Sequence, residues 1–181
     1  LAPGNPRLRR QIALRYLIGG INLPASDIVI TNGALEALNL CLQAVTRPGD
    51  TVIVEAPTFY GALQALERLG LKALEVPTHP RTGIDLEAME AAIERHAPRA
   101  CWLMTQFQNP LGCLMPDEKK RQLVQLLARH DIPLIEDDVY GELYFGSARP
   151  VPAKAYDTQG LVLQGVPLGD AIQPVQRRDD P

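Results

Sequence analysis

Residues 133–142 read Pro-Leu-Ile-Glu-Asp-Asp-Val-Tyr-Gly-Glu. An apolar opening predicts a buried strand over Pro133–Glu136, and three acids follow at its end. Carboxylates there are expensive unless water or a partner answers them. A surface loop would relieve the cost cheaply. The functional alternative is that one carboxylate pairs with a buried cation and that Tyr140 points to the same place.

Working outward, the same grammar repeats. Short apolar segments end in turn residues and are followed by stretches of helical period. Strands are predicted at Ile28–Thr31, Thr51–Glu55, Lys72–Val76, Ala100–Thr105 and Leu161–Leu163, besides Pro133–Glu136. Helices are predicted over Arg7–Ile18, Ala34–Val45, Gly61–Leu69, from an Asp85 cap to Arg95, and from Pro116-Asp117 to Arg129, with Pro77–Gly83 as a loop. Strands alternating with helices give an α/β fold: three αβα layers around a mainly parallel sheet. The sheet is expected to be mixed but mainly parallel, with Ala100–Met104 free of exposed charge. The 16 prolines fall mostly between these segments, which suits many short elements and not a long bundle. From Gln164 to Pro181 the helix and strand periods vanish, so the expected division is 1–163 as the folded part and 164–181 as an irregular tail.

Composition narrows the function classes. With 46% hydrophobic and 22% charged residues the chain has the balance of a globular protein. No apolar run is long enough to span a bilayer, so a cytoplasmic location is the default expectation. A net charge of −3 argues against nucleic-acid binding by this segment. Three cysteines without a CxxC offer neither a disulfide framework nor a metal site. Cys41 and Cys101 read as small buried hydrophobes, and His79, His96 and His130 as solvated surface residues.

Ligands of such sheets bind at the carboxyl ends of the strands. Four segments fall there. Thr31-Asn32-Gly33-Ala34-Leu35-Glu36 passes from strand through a glycine turn into a helix, whose free N–H groups suit a phosphate. Glu55-Ala56-Pro57-Thr58-Phe59-Tyr60-Gly61 places aromatic rings where a flat ligand could stack, although core packing explains them equally well. Gln106-Phe107-Gln108-Asn109-Pro110-Leu111-Gly112 is a tight turn whose amide could reach a ligand oxygen or serve only its own backbone. The acidic run closes the set.

Together, in this order and spacing, the four segments resemble fold-type I pyridoxal-phosphate (PLP) enzymes of the class I/II aminotransferases. In particular, they resemble the aminotransferase-like domain of MocR-type transcriptional regulators of the GntR family. The phrases GALEALNLCLQAVTRPGD, PTFYGALQALERLG, THPRTGIDL, QNPLG, LMPDEKKRQLVQLL and IEDDVYGELYFG carry the resemblance, from about Gly4 to Leu163. It implies the large domain of a PLP-dependent transferase, with pyridoxal 5'-phosphate as cofactor. Backbone N–H groups of Ala34 and Leu35, beside Gly33, would hold the phosphate. Phe59 would stack on the pyridine ring, Asn109 and Tyr140 would bond its 3' oxygen, and Asp137 would pair with its protonated nitrogen. Alternation turns Glu136 and Asp138 away from Asp137. Phe59, Asn109, Asp137 and Tyr140 should then share one pocket beside Gly33–Leu35, and the Asn109–Pro110 bond is expected to be cis. A small amino-acid-like ligand and a homodimer are the implied partners.

The family's Schiff-base lysine follows the next strand, and by spacing Asp170 falls near that place. Lys72, Lys119, Lys120 and Lys154 read as surface residues. After Leu163 the resemblance stops, which suggests a truncated or frame-shifted fragment, inactive as given, without the regulators' DNA-binding domain. The functional expectations are therefore three: a fragment of a MocR-type effector domain, a fragment of a free-standing amino acid aminotransferase, or a remnant that binds no cofactor.

Overall fold

A computed structural model of the chain describes residues 2–166. Helix α1 (Pro6–Ile18) precedes α2 (Ala34–Val45), β1 (Thr51–Ala56), α3 (Tyr60–Arg68), β2 (Lys72–His79) and β3 (Gly83–Ile84). Then come α4 (Leu86–His96), β4 (Ala100–Leu103), α5 (Asp117–Arg129), β5 (Leu134–Asp137) and β6 (Val162–Gly165). The six strands form one sheet in the order β3-β2-β1-β4-β5-β6. Every pairing is parallel except the short β2–β3 contact.

Side-chain alternation builds the two faces. Val52, Val54, Trp102 and Ile135 point toward Leu38 and Leu42 of α2 and Leu66 of α3. Ile53, Cys101, Leu103 and Leu134 point the other way, onto Met89 and Ile93 of α4 and Leu123 and Leu127 of α5. Residues 100–104 are buried throughout, as a strand covered on both faces requires. Asp85 caps α4, its Oδ1 accepting from Glu87 N and Ala88 N at 3.0 and 3.1 Å.

The sheet departs from the sequence expectation in several places. Ile28–Thr31 is not a strand of the sheet: it runs extended, and Ile30 N donates instead to Pro3 O at 3.0 Å. β2 continues through His79 and folds back onto β3, where a loop was expected. The expected tail begins inside β6, since Gln164 and Gly165 pair with Glu136 and Asp137. Asp170 lies outside the described residues. Cys101 is buried, whereas Cys41 is only half-buried, and the three histidines are exposed.

Two lysines are not surface residues. Lys120 is completely buried, its ammonium donating to Val151 O at 2.6 Å and facing Asp117 Oδ1 at 3.4 Å. Lys154 Nζ donates to Asp157 Oδ2 and to Val162 O, each at 2.8 Å. Long aliphatic stems let the Lys120 ammonium reach a loop carbonyl and the Lys154 ammonium the first carbonyl of β6.

Asp157 sets the start of β6. Its carboxylate accepts from the N–H groups of Gln159, Gly160, Leu161 and Val162 at 2.9–3.1 Å. Burial alone would raise its pKa, but Lys154 and these N–H groups win and hold the carboxyl below its ordinary value. Asp157→Ala strips a charge-assisted acceptor from four donors, and a loss of about 2–4 kcal/mol in urea unfolding is expected.

Among the described residues no helix is long and apolar enough to cross a membrane, and no His/Cys/Asp/Glu cluster has the geometry of a metal site.

Candidate functional site

At the carboxyl edge of the sheet, a cavity of about 200 Å³ is lined by Ala34, Leu35, Leu38, Phe59, Met104, Asn109, Asp137, Val139 and Tyr140. Four separate elements converge there. The start of α2 forms one wall. The turn after β1 delivers Phe59, the turn after β4 delivers Asn109, and the end of β5 delivers Asp137 and Tyr140.

The α2 wall is a helix N-terminus without a side-chain cap. Gly33 stands at the cap position with φ +100°, a conformation that side-chain-bearing residues rarely adopt. The first-turn N–H groups of such a helix carry its positive dipole end and remain free for an anion. Glu36 folds back to accept from Asn32 N, outside the cavity wall. Gly33 itself lines a neighbouring cavity with Ile28, Ile30 and Gly165, so its part in the turn is to shape the backbone.

Phe59 caps α3 and tilts against Tyr60 with ring centroids 4.9 Å apart. Its ring lies over Gly61, where an added Cβ would collide with Phe59 Cε1 and Cζ. Gly61→Ala is therefore expected to push the Phe59 ring out of place while α3 stays folded. Circular dichroism would check the helix, and a crystal structure of the variant the ring. An unmoved ring would contradict the contact.

The three consecutive acids have three different surroundings. Glu136 is completely buried on the α5 face and accepts from Thr105 Oγ1 at 2.5 Å, Ala153 N at 2.6 Å and Lys154 N at 2.9 Å. Asp138 faces α1, where Arg149 at 2.9 Å and Gln164 at 2.8 Å both reach its Oδ2. Asp137 alone lines the cavity. Its Oδ2 accepts from Trp102 Nε1 at 3.4 Å, and its Oδ1 is buried with no partner among the described residues. Burial pushes the Asp137 carboxyl up to about 6 against the pull of Trp102 and the Val139 N–H. An orphaned buried carboxylate oxygen is costly, and a cationic N–H donor in the cavity would relieve it.

Around Asp138 runs a second set of polar contacts that sequence reasoning missed. Arg149 also pairs with Glu142 at 2.6 Å, Glu142 with Arg15 of α1 at 2.5 Å, and Tyr16 OH donates to Gln164 Oε1 at 2.9 Å. These contacts tie α1 to the strand ends. Arg149→Ala removes the guanidinium that holds Glu142 and Asp138 in that set, and is expected to raise hydrogen exchange in α1 roughly tenfold, with β1 and β4 unchanged. Equal protection of α1 in the variant would show that its docking lies elsewhere. Trp102 was legible only as a strand residue, because the partner of its indole lies on another strand. The Asn109–Pro110 bond is cis, as is Ala56–Pro57.

The sequence profile of the family described as aminotransferase class I and II matches residues 2–166. The chain belongs to this family. The cofactor of this family is pyridoxal 5'-phosphate. Among curated proteins, the uncharacterised HTH-type transcriptional regulator YdcR of Escherichia coli K12 is 61% identical over 163 residues, covering 90% of this chain and 35% of that protein. Among solved structures, an archaeal alanine:glyoxylate aminotransferase superposes with a TM-score of 0.86 at 29% identity, over 93% of this chain and 43% of that one. LysN, the α-aminoadipate aminotransferase of Thermus thermophilus complexed with N-(5'-phosphopyridoxyl)-L-leucine, gives 0.73 at 35% identity, over 83% and 37%. The aminotransferase-like domain is thus shared with HTH-type regulators of the MocR type, and the chain spans about a third of the length of the curated relatives it matches.

Proposed function

We propose that this chain forms the pyridoxal 5'-phosphate-facing part of the effector domain of a MocR-type transcriptional regulator. The observation that carries the reading is the orphaned Asp137 Oδ1 in a cavity that the uncapped start of α2 also lines. A ligand with a phosphate at one end and a protonated ring nitrogen at the other answers both. In this reading Ala34 and Leu35 donate their N–H groups to the phosphate, and Phe59 covers the ring. Asn109 and Tyr140 bond the 3' oxygen. Asp137 holds the proton on the ring nitrogen, which keeps the ring cationic. When bound, the cofactor supplies an electron sink for carbanion chemistry on an amino compound.

The regulator assignment rests on the 61% identity to YdcR. It implies a small amino-acid-like effector, a homodimer, a cytoplasmic setting and DNA contact through a separate domain. A free-standing aminotransferase is the second reading, favoured by 38% identity to the 2-aminoadipate transaminase of Thermus thermophilus over 71% of this chain. An HTH segment upstream in the gene decides between them.

Trp102 is the single tryptophan of the chain and bonds Asp137, so its fluorescence reports on the cavity. Titration with pyridoxal 5'-phosphate is expected to quench it saturably with one site. Inorganic phosphate should compete, and pyridoxal without phosphate should bind more weakly. Quenching that never saturates, or that ignores the phosphate, refutes the reading.

A further inference from the structure

Two buried glutamates take no part in the cavity and yet sit beside it. Glu55, next to last in β1, has 1% of its surface exposed, and Glu136 in β5 is fully buried. Both lie on strands that flank β4. An apolar side chain at either place would avoid the desolvation of a carboxyl group. What each carboxyl does is hold the exit of β4. Glu55 Oε2 accepts from Met104 N at 3.0 Å, and Glu136 Oε1 accepts from Thr105 Oγ1 at 2.5 Å. Successive residues at which the chain leaves the sheet are thus gripped from the left and the right.

The segment that follows is braced from that point. Thr105 O accepts from Met115 N at 3.0 Å, closing the far end of the turn. Gln108 spans its middle, donating through Nε2 to Pro57 O at 2.8 Å and accepting at Oε1 from Leu111 N at 2.9 Å. Asn109, which lines the cavity, rests with its N–H on Met104 Sδ at 3.5 Å, the side chain of the residue whose own N–H Glu55 holds. A shift at Met104 therefore reaches Asn109 through one contact.

We infer that Glu55 and Glu136 are positioning residues: a two-carboxylate clamp on Met104 and Thr105 that sets where Asn109 stands in the cofactor cavity. The inference rests on the proposed function for what Asn109 does, and on the hydrogen bonds alone for the clamp. Glu136 also holds Ala153 N and Lys154 N, so Glu55 and the Thr105 hydroxyl are the cleaner probes. Gln at position 55 keeps an acceptor oxygen for Met104 N, whereas Leu keeps only the bulk.

The test is hydrogen exchange of the 181-residue chain without cofactor, joined to the Trp102 titration with pyridoxal 5'-phosphate. Glu55→Leu and Thr105→Val should each speed exchange over residues 104–113 about tenfold, while β5 and α2 keep their protection and Glu55→Gln matches the parent. Both variants should weaken cofactor binding about tenfold, with little further loss when Asn109→Ala is added, as expected of residues acting through one group. Should Glu55→Leu fail to fold, Thr105→Val, which removes one hydroxyl at nearly constant shape, decides the matter. Unchanged exchange in Thr105→Val overturns the clamp, as does a Glu55→Gln variant as damaged as Glu55→Leu. Fully additive losses with Asn109→Ala overturn the link to the cavity. If Asn109→Ala alone leaves affinity untouched, the cofactor role of Asn109 fails, and the exchange result judges the clamp separately.

Discussion

Asp137→Asn is expected to weaken pyridoxal 5'-phosphate binding by roughly 100-fold or more, the largest single effect in the cavity. Asparagine keeps the shape of the side chain and an oxygen for Trp102 Nε1, so the wall stays in place. What it loses is the negative charge facing the ring nitrogen. Removing one partner of a buried ion pair leaves the other desolvated and unpaired, which costs about 3–5 kcal/mol. The free chain should not suffer. Burial holds the Asp137 carboxyl up near 6, so its charge is a burden to the fold, and a neutral amide there should leave the urea midpoint equal or higher. Loss of affinity with intact stability separates a ligand-binding role from a structural one. Trp102 fluorescence measures both, and an Asn variant that binds as well as the parent would remove Asp137 from the site.

The second large effect is a fall in stability as pH rises. Burial pushes Glu55 up to about 8 and Asp137 to about 6. Burial, reinforced by the neighbouring Glu136 charge, pushes Asp138 to about 7. A folded-state pKa above the unfolded value means that the folded chain holds its protons more tightly. Stability from these groups is complete below about pH 4 and is lost as pH rises through 6 to 8. A carboxyl whose pKa is one higher in the folded chain than in the unfolded one contributes about 1.4 kcal/mol, so the three together are worth on the order of several kcal/mol. Asp157 works in the opposite sense, with a lowered pKa whose stabilisation is lost below about pH 4. The cofactor-free chain should therefore be most stable near pH 5 and weaken steadily toward pH 9. Urea midpoints across that range check it, with Glu55→Gln flattening the alkaline arm. Midpoints that climb between pH 6 and 9 would contradict the burial of these carboxyls.

Much of the architecture follows from local pattern. Helices α2 and α5 announce themselves by apolar period and by what begins them, and β1 and β4 by compact apolar runs. The acidic run at 136–138 was legible as a place where something must answer charge, because three carboxyls at a strand end are hard to solvate by accident. What local pattern could not supply was partnership. Ile28–Thr31 has strand composition, yet β-propensity is realised only against a neighbour, and among the described residues its backbone finds Pro3 rather than a strand. Gln164 and Gly165 have no strand composition and are strand because β5 lies alongside. Lys120 reads as solvent-facing, and its burial depends on a carbonyl 31 positions away. Glu55 passed as the polar end of a strand because its hydrogen-bond partner, Met104 N, belongs to a different strand end. The contacts of Asp138 with Arg149 and Gln164 are likewise long-range, so the division of labour among the three acids emerges only in the fold.

The most direct test of the central claim is a crystal structure of the 181-residue chain soaked with pyridoxal 5'-phosphate. The account predicts the phosphate on the N–H groups of Ala34 and Leu35, the ring beneath Phe59, and the ring nitrogen within hydrogen-bond distance of Asp137 Oδ1. A cofactor bound elsewhere, such as the larger cavity between α5 and Asp157, or bound here with its ring nitrogen away from Asp137, would contradict it.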